Sequence, residues 1–441
     1  MTTPERVAVV GAGVSGIAAA LALHRAGCAV EILEREDRIG GRLGLAELGD
    51  REVLLGGKNI GRAYSRFRAM LDLLGGTGYE PFGINTSRVV AGRLVSLDSD
   101  NRAETMNGIL RMCNWRDLAK LDSIARKVKS ADTARFLGSD LARKLGRRDD
   151  RPLSEHFGRR TTTNFLRPIT VRMNGAEPDE AYYGNFATNM GMLIDTFDQP
   201  TVGLSALLGR AAELVEIRYR TAVTGISQVN GGVALDLVDP GGRSRQARYD
   251  AVAVCTPAYA AAPLLAPLSK ALADLVHSVR YFPATVAVVR YTHDVFAADV
   301  RAIALDDQPC SNAGSYGKET RNVVRYTFSG IHGRLIDPTE ADVLDLVTDT
   351  ETQLHTHLGV VRQPRTAVAV RHWPQAYCGY LPHYGDFLDA LNTAAAPLAS
   401  IALAGDYLLG GSIEACCRSG ETAAAALLSA PVPQGATRCE S

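Results

Sequence analysis

Tryptophan is scarce, with two in 441 residues, and the eight cysteines are scattered with no Cys-x-x-Cys pair and no metal-ligand spacing. That excludes a zinc-ribbon or dithiol reading and leaves the expectation of reduced thiols and no metal. The vicinal pair Cys416-Cys417 is expected to pack rather than to cycle. Neither sign of charge is in excess: Lys plus Arg and Asp plus Glu number 48 each, so net charge offers no argument for nucleic acid or a membrane. No apolar run reaches transmembrane length. No leader is expected either, because the first strand begins within a few residues of Met1; a cytoplasmic location is the expectation. What is present is ordinary for a soluble globular chain, 46% hydrophobic and 22% charged residues, in a chain too long for one compact core.

The most informative stretch is Arg6 to Arg42. Arg6-Val7-Ala8-Val9-Val10 has the composition of a buried parallel strand. Gly11-Ala12-Gly13-Val14-Ser15-Gly16 follows, then small and apolar residues from Ile17 to Ala26 that read as a helix closed by Gly27. Cys28 to Leu33 is a second strand, ending on Glu34. Strand, glycines, helix and acid stand in the register of a dinucleotide-binding βαβ unit. Gly11 allows a tight turn, Gly13 lets a pyrophosphate approach the backbone, and Gly16 lets helix pack on strand. The helix N-terminus beside Ser15 offers N–H groups to phosphate. Glu34 is placed to bind a ribose hydroxyl pair and to repel a 2′-phosphate.

Asp37-Arg38-Ile39-Gly40-Gly41-Arg42 then resembles the Gly-Gly-Arg segment of the flavin amine oxidase superfamily, which includes monoamine oxidases, protoporphyrinogen oxidases and phytoene-type desaturases. Three more stretches resemble that family's FAD segments in its order. Val53-Leu54-Leu55-Gly56-Gly57-Lys58 departs from the pattern at Leu55, where an acid is common, and at Lys58. Thr221-Ala222-Val223-Thr224-Gly225-Ile226 is similar to the segment whose valine meets adenine. Ile401 to Ala415, with Gly405-Asp406 and Gly410-Gly411-Ser412-Ile413, is similar to the segment that closes the flavin site. The resemblance implies FAD bound by Gly11, Gly13, Ser15, Gly16, Glu34, Gly41, Arg42, Gly57, Lys58, Val223, Asp406, Ser412 and Ile413. It implies Arg42 along the pyrophosphate and Asp406 on the ribityl or pyrophosphate end. A cation at Lys58 would stabilise reduced flavin; the alternative is a lysine reaching to solvent. Cys378 lies near the position of covalent attachment in monoamine oxidases, but the local spacing differs, and non-covalent FAD is expected.

Between these segments the chain leaves twice. Residues 85–200 read as a hairpin followed by a basic helical region, containing Arg126, Lys127, Lys129, Arg143 and Arg148 among others, either solvated faces or a docking surface for an anionic partner. Residues 264–375 carry β-branched runs and the helix Asp342–Leu358, whose His355 and His357 point to opposite sides. The resemblance therefore implies an α/β plus α+β fold: a discontinuous Rossmann-like FAD domain (1–84, 201–263, 376–430) with an inserted monoamine oxidase-like substrate domain (85–200, 264–375) and a flexible tail, 431–441. Lys58, Trp373, Tyr377 and Tyr182 are the candidate catalytic residues, the aromatics because they pack an apolar or cationic substrate with little entropy loss. The expected activity is two-electron oxidation of a small molecule in specialised metabolism, a C–N bond first, by hydride transfer to flavin N5 with molecular oxygen as acceptor. C–C desaturation is the alternative, and a non-redox FAD isomerase or a flavin binder without turnover the further ones. An anionic or carrier-linked substrate and a homodimer are further options.

Overall fold

The structure is a computed structural model that describes residues 4–430 except 77, 84, 99 and 148–150; Arg148 and the expected tail at 431–441 lie outside the described residues. Five parallel strands form the first sheet, in the order Glu216–Arg218, Ala29–Leu33, Arg6–Val10, Ala251–Val254 and Ile401–Leu403. The strands are short and rich in valine and alanine because both faces are covered. Val7, Val9, Ile32, Ala251 and Ala253 pack toward the helices Val14–Arg25 and Ile413–Ser429. The alternate residues Ala8, Val10, Leu33, Val252 and Val254 pack toward the antiparallel strands Ala222–Val229, Gly232–Val238 and Ser244–Tyr249. The two helices touch backbone to backbone: a Cβ on Gly420 would fall 2.0 Å from the carbonyl oxygen of Ser15.

A second sheet of seven strands runs Arg365–Cys378, Tyr281–Tyr291, Val323–Phe328, Cys310–Ser315, Ala302–Ala304, Asn85–Val90 and Arg93–Asp98. One face buries Ala287, Val289, Tyr326 and Phe328 against Val343, Val347 and Leu354 of the helix Glu340–Leu358. The other sets Val286, Val288 and Val323 against Leu48, Val53 and Leu55 of the hairpin Leu45–Leu54. Helices from Arg102 to Leu193 close around Leu121, Phe157, Phe165, Phe186 and Met190. This is a mixed α/β architecture, a Rossmann-like sheet beside a sheet-and-helix unit.

Two expected boundaries fall elsewhere. The strand Arg365–Cys378 runs through 375/376 without a break. It continues because a register irregularity between Phe282 and Ala284 absorbs Pro283 and Pro374, which cannot donate to the ladder. Phe197–Pro200 pairs with Ile60–Gly61 and Tyr79–Pro81, so it sits with the early segments and not with the second sheet.

Glu351 fixes the long helix to this sheet. One carboxylate oxygen accepts from Tyr291 Oη (2.7 Å) and Arg365 Nε (2.8 Å), the other from Arg362 Nε (2.8 Å). Burial opposes the charge, but the bonds from Arg365, Tyr291 and Arg362 outweigh it and hold the carboxyl below its ordinary value. A depressed folded-state pKa stabilises above the unfolded pKa and is lost as pH falls. Glu351→Gln is expected to cost about 2 kcal/mol at pH 7, read from urea midpoints. The gap to wild type should close as pH drops below about 4, the ordinary glutamate range.

Candidate active site

The glycine loop behaves as its spacing predicts. Gly11 has φ +100°, and a Cβ there would sit 3.2 Å from Cys255 O; one on Gly16 would sit 1.8 Å from Gly11 O. A Cβ on Gly13 would meet nothing within 4 Å, so the loop presents Gly13 to open space. Gly40 N–H donates to Ala12 O (2.9 Å), and Gly41, φ +53°, lies with its Cβ position 3.2 Å from Gly13 Cα. Gly56 crosses Arg42 as closely, with its Cβ position 1.9 Å from Arg42 O. Three segments therefore meet through bare backbone. Ser15 is buried under the last helix.

Glu34 is buried and already engaged. Its Oε2 accepts from Ala12 N–H (2.6 Å) and its Oε1 from Glu36 N–H (2.8 Å), which leaves lone pairs for a hydroxyl pair. The carboxylate therefore also ties the glycine loop to the second strand, a role the spacing alone did not reveal. Thr221 N–H donates to Glu34 O (2.8 Å), and this brings Val223, on the strand Ala222–Val229, alongside Glu34.

Arg42 and Asp406 meet each other. Arg42 Nη1 donates to Asp406 Oδ2 (2.8 Å) and to Ala376 O (3.1 Å), and Tyr281 Oη donates to Asp406 Oδ1 (2.9 Å). Burial works against the Arg42 charge, but Asp406 holds the guanidinium well above its ordinary pKa. Tyr380 Oη donates to Asp406 O (2.9 Å), and Tyr281 is a site neighbour the sequence reading missed. Ser412 caps the helix Ile413–Ser429 by accepting from Ala415 N–H (3.1 Å), and Ile413 lies against Gly57, 3.4 Å from its Cβ position. Glu414, fully buried, accepts from Arg66 and Phe67 N–H at the start of the helix Ser65–Leu73 (3.1 and 2.9 Å).

The candidate catalytic residues divide. Lys58 turns inward: Nζ donates to Tyr316 O and lies 3.8 Å from the Phe82 ring centroid. Burial, then the charge of Arg325, pushes its pKa well below the ordinary lysine value. Arg325 was not foreseen; it donates to Leu54 O (2.6 Å) and Gly56 O (2.9 Å). Tyr377 Oη donates to Arg172 O (3.3 Å), and burial raises its pKa while Arg325 and Arg172 lower it. Trp373 is held as a packing element: Nε1 donates to Leu55 O (2.9 Å), and its ring lies 2.7 Å from where a Gly44 Cβ would stand. Tyr182 stands apart from the other three. Its ring is wedged among Gly146, Gly184 and Gly385 in the apolar core, because those three positions lack side chains that would displace it.

A further set of residues faces the same seam. In the helix Phe186–Leu193, Phe186, Ala187 and Met190 enter the core, while Asn185, Thr188 and Asn189 line the other face. All three are buried, and Asn185 Oδ1, Thr188 Oγ1 and Asn189 Oδ1 have no hydrogen-bond partner among the described residues. Thr188 lies 3.4 Å from the Gly410 Cβ position. Buried oxygens without partners are rare, and Thr188, beside Gly410 of the last segment's glycine loop, is free to accept from a bound ligand such as FAD. No periodicity marks these residues in the sequence. Cys378 is buried, with Sγ 3.6 Å from Tyr384 Oη, and burial raises its pKa well above the ordinary thiol value.

Four outcomes follow from this geometry. Gly16→Ala is expected to cost about 3 kcal/mol of stability, whereas Gly13→Ala should leave the melting temperature of the apoprotein unchanged and reduce the FAD retained on purification. Glu34→Ala should do both, weakening FAD by about 1.5–3 kcal/mol and loosening the loop, as seen in FAD content and proteolysis. Acid precipitation of the holoprotein should leave FAD in the supernatant; a yellow pellet would show covalent attachment.

Similarity to known proteins agrees with this geometry. The profile of the family described as flavin containing amine oxidoreductase matches residues 14–428. The cyclohexylamine oxidase of Brevibacterium oxydans IH-35A superimposes with a TM-score of 0.73 at 20% identity, over 97% of this chain and 99% of that one. A protein of Exiguobacterium sp. 255-15 described as a protoporphyrinogen oxidase does so with a TM-score of 0.70 at 15% identity, over 96% and 98%. A shorter stretch of 86 residues is 38% identical to the flavin-containing amine oxidase B of Mus musculus, covering 19% of this chain and 16% of that one. The chain matches less than a fifth of the length of such curated relatives. No helix among the described residues is long and apolar enough to cross a membrane. With the match spanning nearly the whole chain, this protein belongs to the flavin-containing amine oxidoreductases and is an FAD-dependent oxidoreductase.

Proposed function

We propose that the chain oxidises a C–N bond of a small amine to an imine or iminium, with molecular oxygen as the acceptor. The observation that carries this reading is the electrostatic setting of the Gly56–Lys58 segment, the part of the chain that lies against Ile413 at the start of the last helix. An amine releases hydride only as the neutral base. Burial depresses Lys58 most, Arg325, Arg51 and Arg301 depress it further, and Glu80 raises it. The same positive surroundings disfavour an ammonium group and so favour the reactive form of the substrate. FAD, when bound, supplies the two-electron sink that a C–H beside nitrogen requires. Gly13, Glu34, Val223, Arg42, Gly57, Ser412 and Ile413 are the residues proposed to hold it.

The chain's other contributions are positioning and exclusion of water. Tyr377 and Tyr316 are proposed as rigid aromatic walls for the substrate, and the Arg325 guanidinium fixes the carbonyls of Leu54 and Gly56. A second reading, dehydrogenation of a C–C bond, draws on the likeness to the Exiguobacterium protein.

Anaerobic mixing with a panel of small amines should bleach the flavin, and air should restore it. The product should be two hydrogens lighter and hydrolyse to an aldehyde or ketone; a lighter product stable to hydrolysis would favour the C–C reading. Tyr377→Phe should slow flavin reduction by about tenfold or less with FAD content and melting temperature nearly unchanged. Trp373→Ala, by contrast, should lower the melting temperature and shed FAD, because that ring packs the Leu55 segment.

A further inference from the structure

The rule in this protein is that a partly buried arginine meets a carboxylate. Arg42 pairs with Asp406, Arg167 with Glu177, Arg365 with Glu351 and Arg418 with Glu414. One locality breaks the rule. Lys58 donates to Tyr316 O, and Arg325 to the carbonyls of Leu54 and Gly56. Arg301, buried, donates to Phe82 O (2.9 Å), and Arg172 to Thr86 Oγ1 (3.1 Å). Arg51 lies 5.5 Å from the Tyr316 ring centroid. Among the described residues none of these five forms an ion pair with a carboxylate, and their acceptors are neutral oxygens and ring faces. They are one group: Arg325, Arg51 and Arg301 act on Lys58, and Arg325 and Arg172 act together on Tyr377.

Cations withdrawn from water without counterions are costly, and a cluster of them is costlier than its members. Burial lowers the pKa of Lys58, Arg172 and Arg325, which is the sign of charge left uncompensated. The phosphate-facing loop of Gly11 to Gly16 is not what they serve, since they surround the Gly56–Lys58 segment.

We propose that this cluster recognises an acidic group on the substrate, so that the amine oxidised also carries a carboxylate or another oxyanion. The inference rests on the C–N reading above and deepens it. An oxyanion draws the molecule toward cations that would otherwise repel an ammonium group, and guanidinium forks at Arg172 and Arg325 suit the planar, two-oxygen geometry of a carboxylate.

Benzoate and benzamide, alike in shape and different in charge, test this on the holoprotein through the flavin absorption spectrum. Benzoate is expected to perturb the spectrum with a saturating titration at least tenfold tighter than benzamide. Lys58→Met and Arg172→Met should each weaken benzoate at least tenfold at unchanged FAD content and erase the preference, while Lys58→Arg and Arg172→Lys should keep it within about threefold. Equal binding of the two probes, no perturbation by either, or benzoate affinity that survives both methionine substitutions overturns the proposal. So does a change in flavin reduction potential in Lys58→Met with benzoate affinity intact, because the cation then serves the flavin. The two readings fail separately. If amino acids and their amides reduce the flavin equally well, the acidic-group proposal falls and C–N oxidation stands. If no amine reduces it while benzoate is still preferred, C–N oxidation falls and the anion site stands.

Discussion

The buried carboxylate of Asp406 is the constraint on which the two halves of the molecule depend. It follows the last strand of the Rossmann-like sheet, takes Arg42 from the turn after the second strand, and takes Tyr281 from the start of the longest strand pairing in the second sheet. A buried ion pair is a poor source of net stability but a strict specifier, because removing either partner strands the other. Here the specification joins chain ends 364 residues apart. The same residue's carbonyl holds Tyr380, so one position sets the sheets, the Gly-Gly-Arg turn and the approach to the last helix.

Charge is laid out along the binding seam in an order. At the end marked by Glu34 and Val223 the chain presents a carboxylate and backbone N–H groups. In the middle, Arg42 and Asp406 neutralise one another. Around Gly57 lie Lys58 and Arg325, whose hydrogen-bond acceptors are neutral carbonyls and which form no ion pair among the described residues.

What was legible in the sequence was what depends on near neighbours. Gly11, Gly16, Gly41 and Gly56 are glycine because another backbone passes where a Cβ would stand, and that demand leaves a pattern whether or not the partner is adjacent in sequence. The second sheet and its helices were legible as runs, but the boundaries were not, since a strand can carry a proline across a bulge, as Arg365–Cys378 does. Side-chain function was the least legible. Trp373 and Tyr182 looked like pocket aromatics and pack against glycines. Arg325 and Arg172 looked like two of many arginines. Their distinction is the absence of an acidic partner in three dimensions, and Asn185, Thr188 and Asn189 are distinguished likewise by missing partners. Absences of that kind have no local signature.

The strand Ile401–Leu403 pairs only with Ala251–Val254, and Glu414 caps the helix Ser65–Leu73 from the far end of the chain. A ribosome releases these pieces in order, from the N-terminus. Until residues 401–414 emerge, the first sheet lacks its edge strand, Arg42 lacks its counterion and the early helix has unmet N–H groups. The contacts that complete the cofactor domain are among the longest in sequence separation, and loop closure makes such contacts slow to form. The nascent chain therefore lacks the edge strand, the Arg42 counterion and the last helix through most of its synthesis, and a product truncated before residue 401 lacks all three.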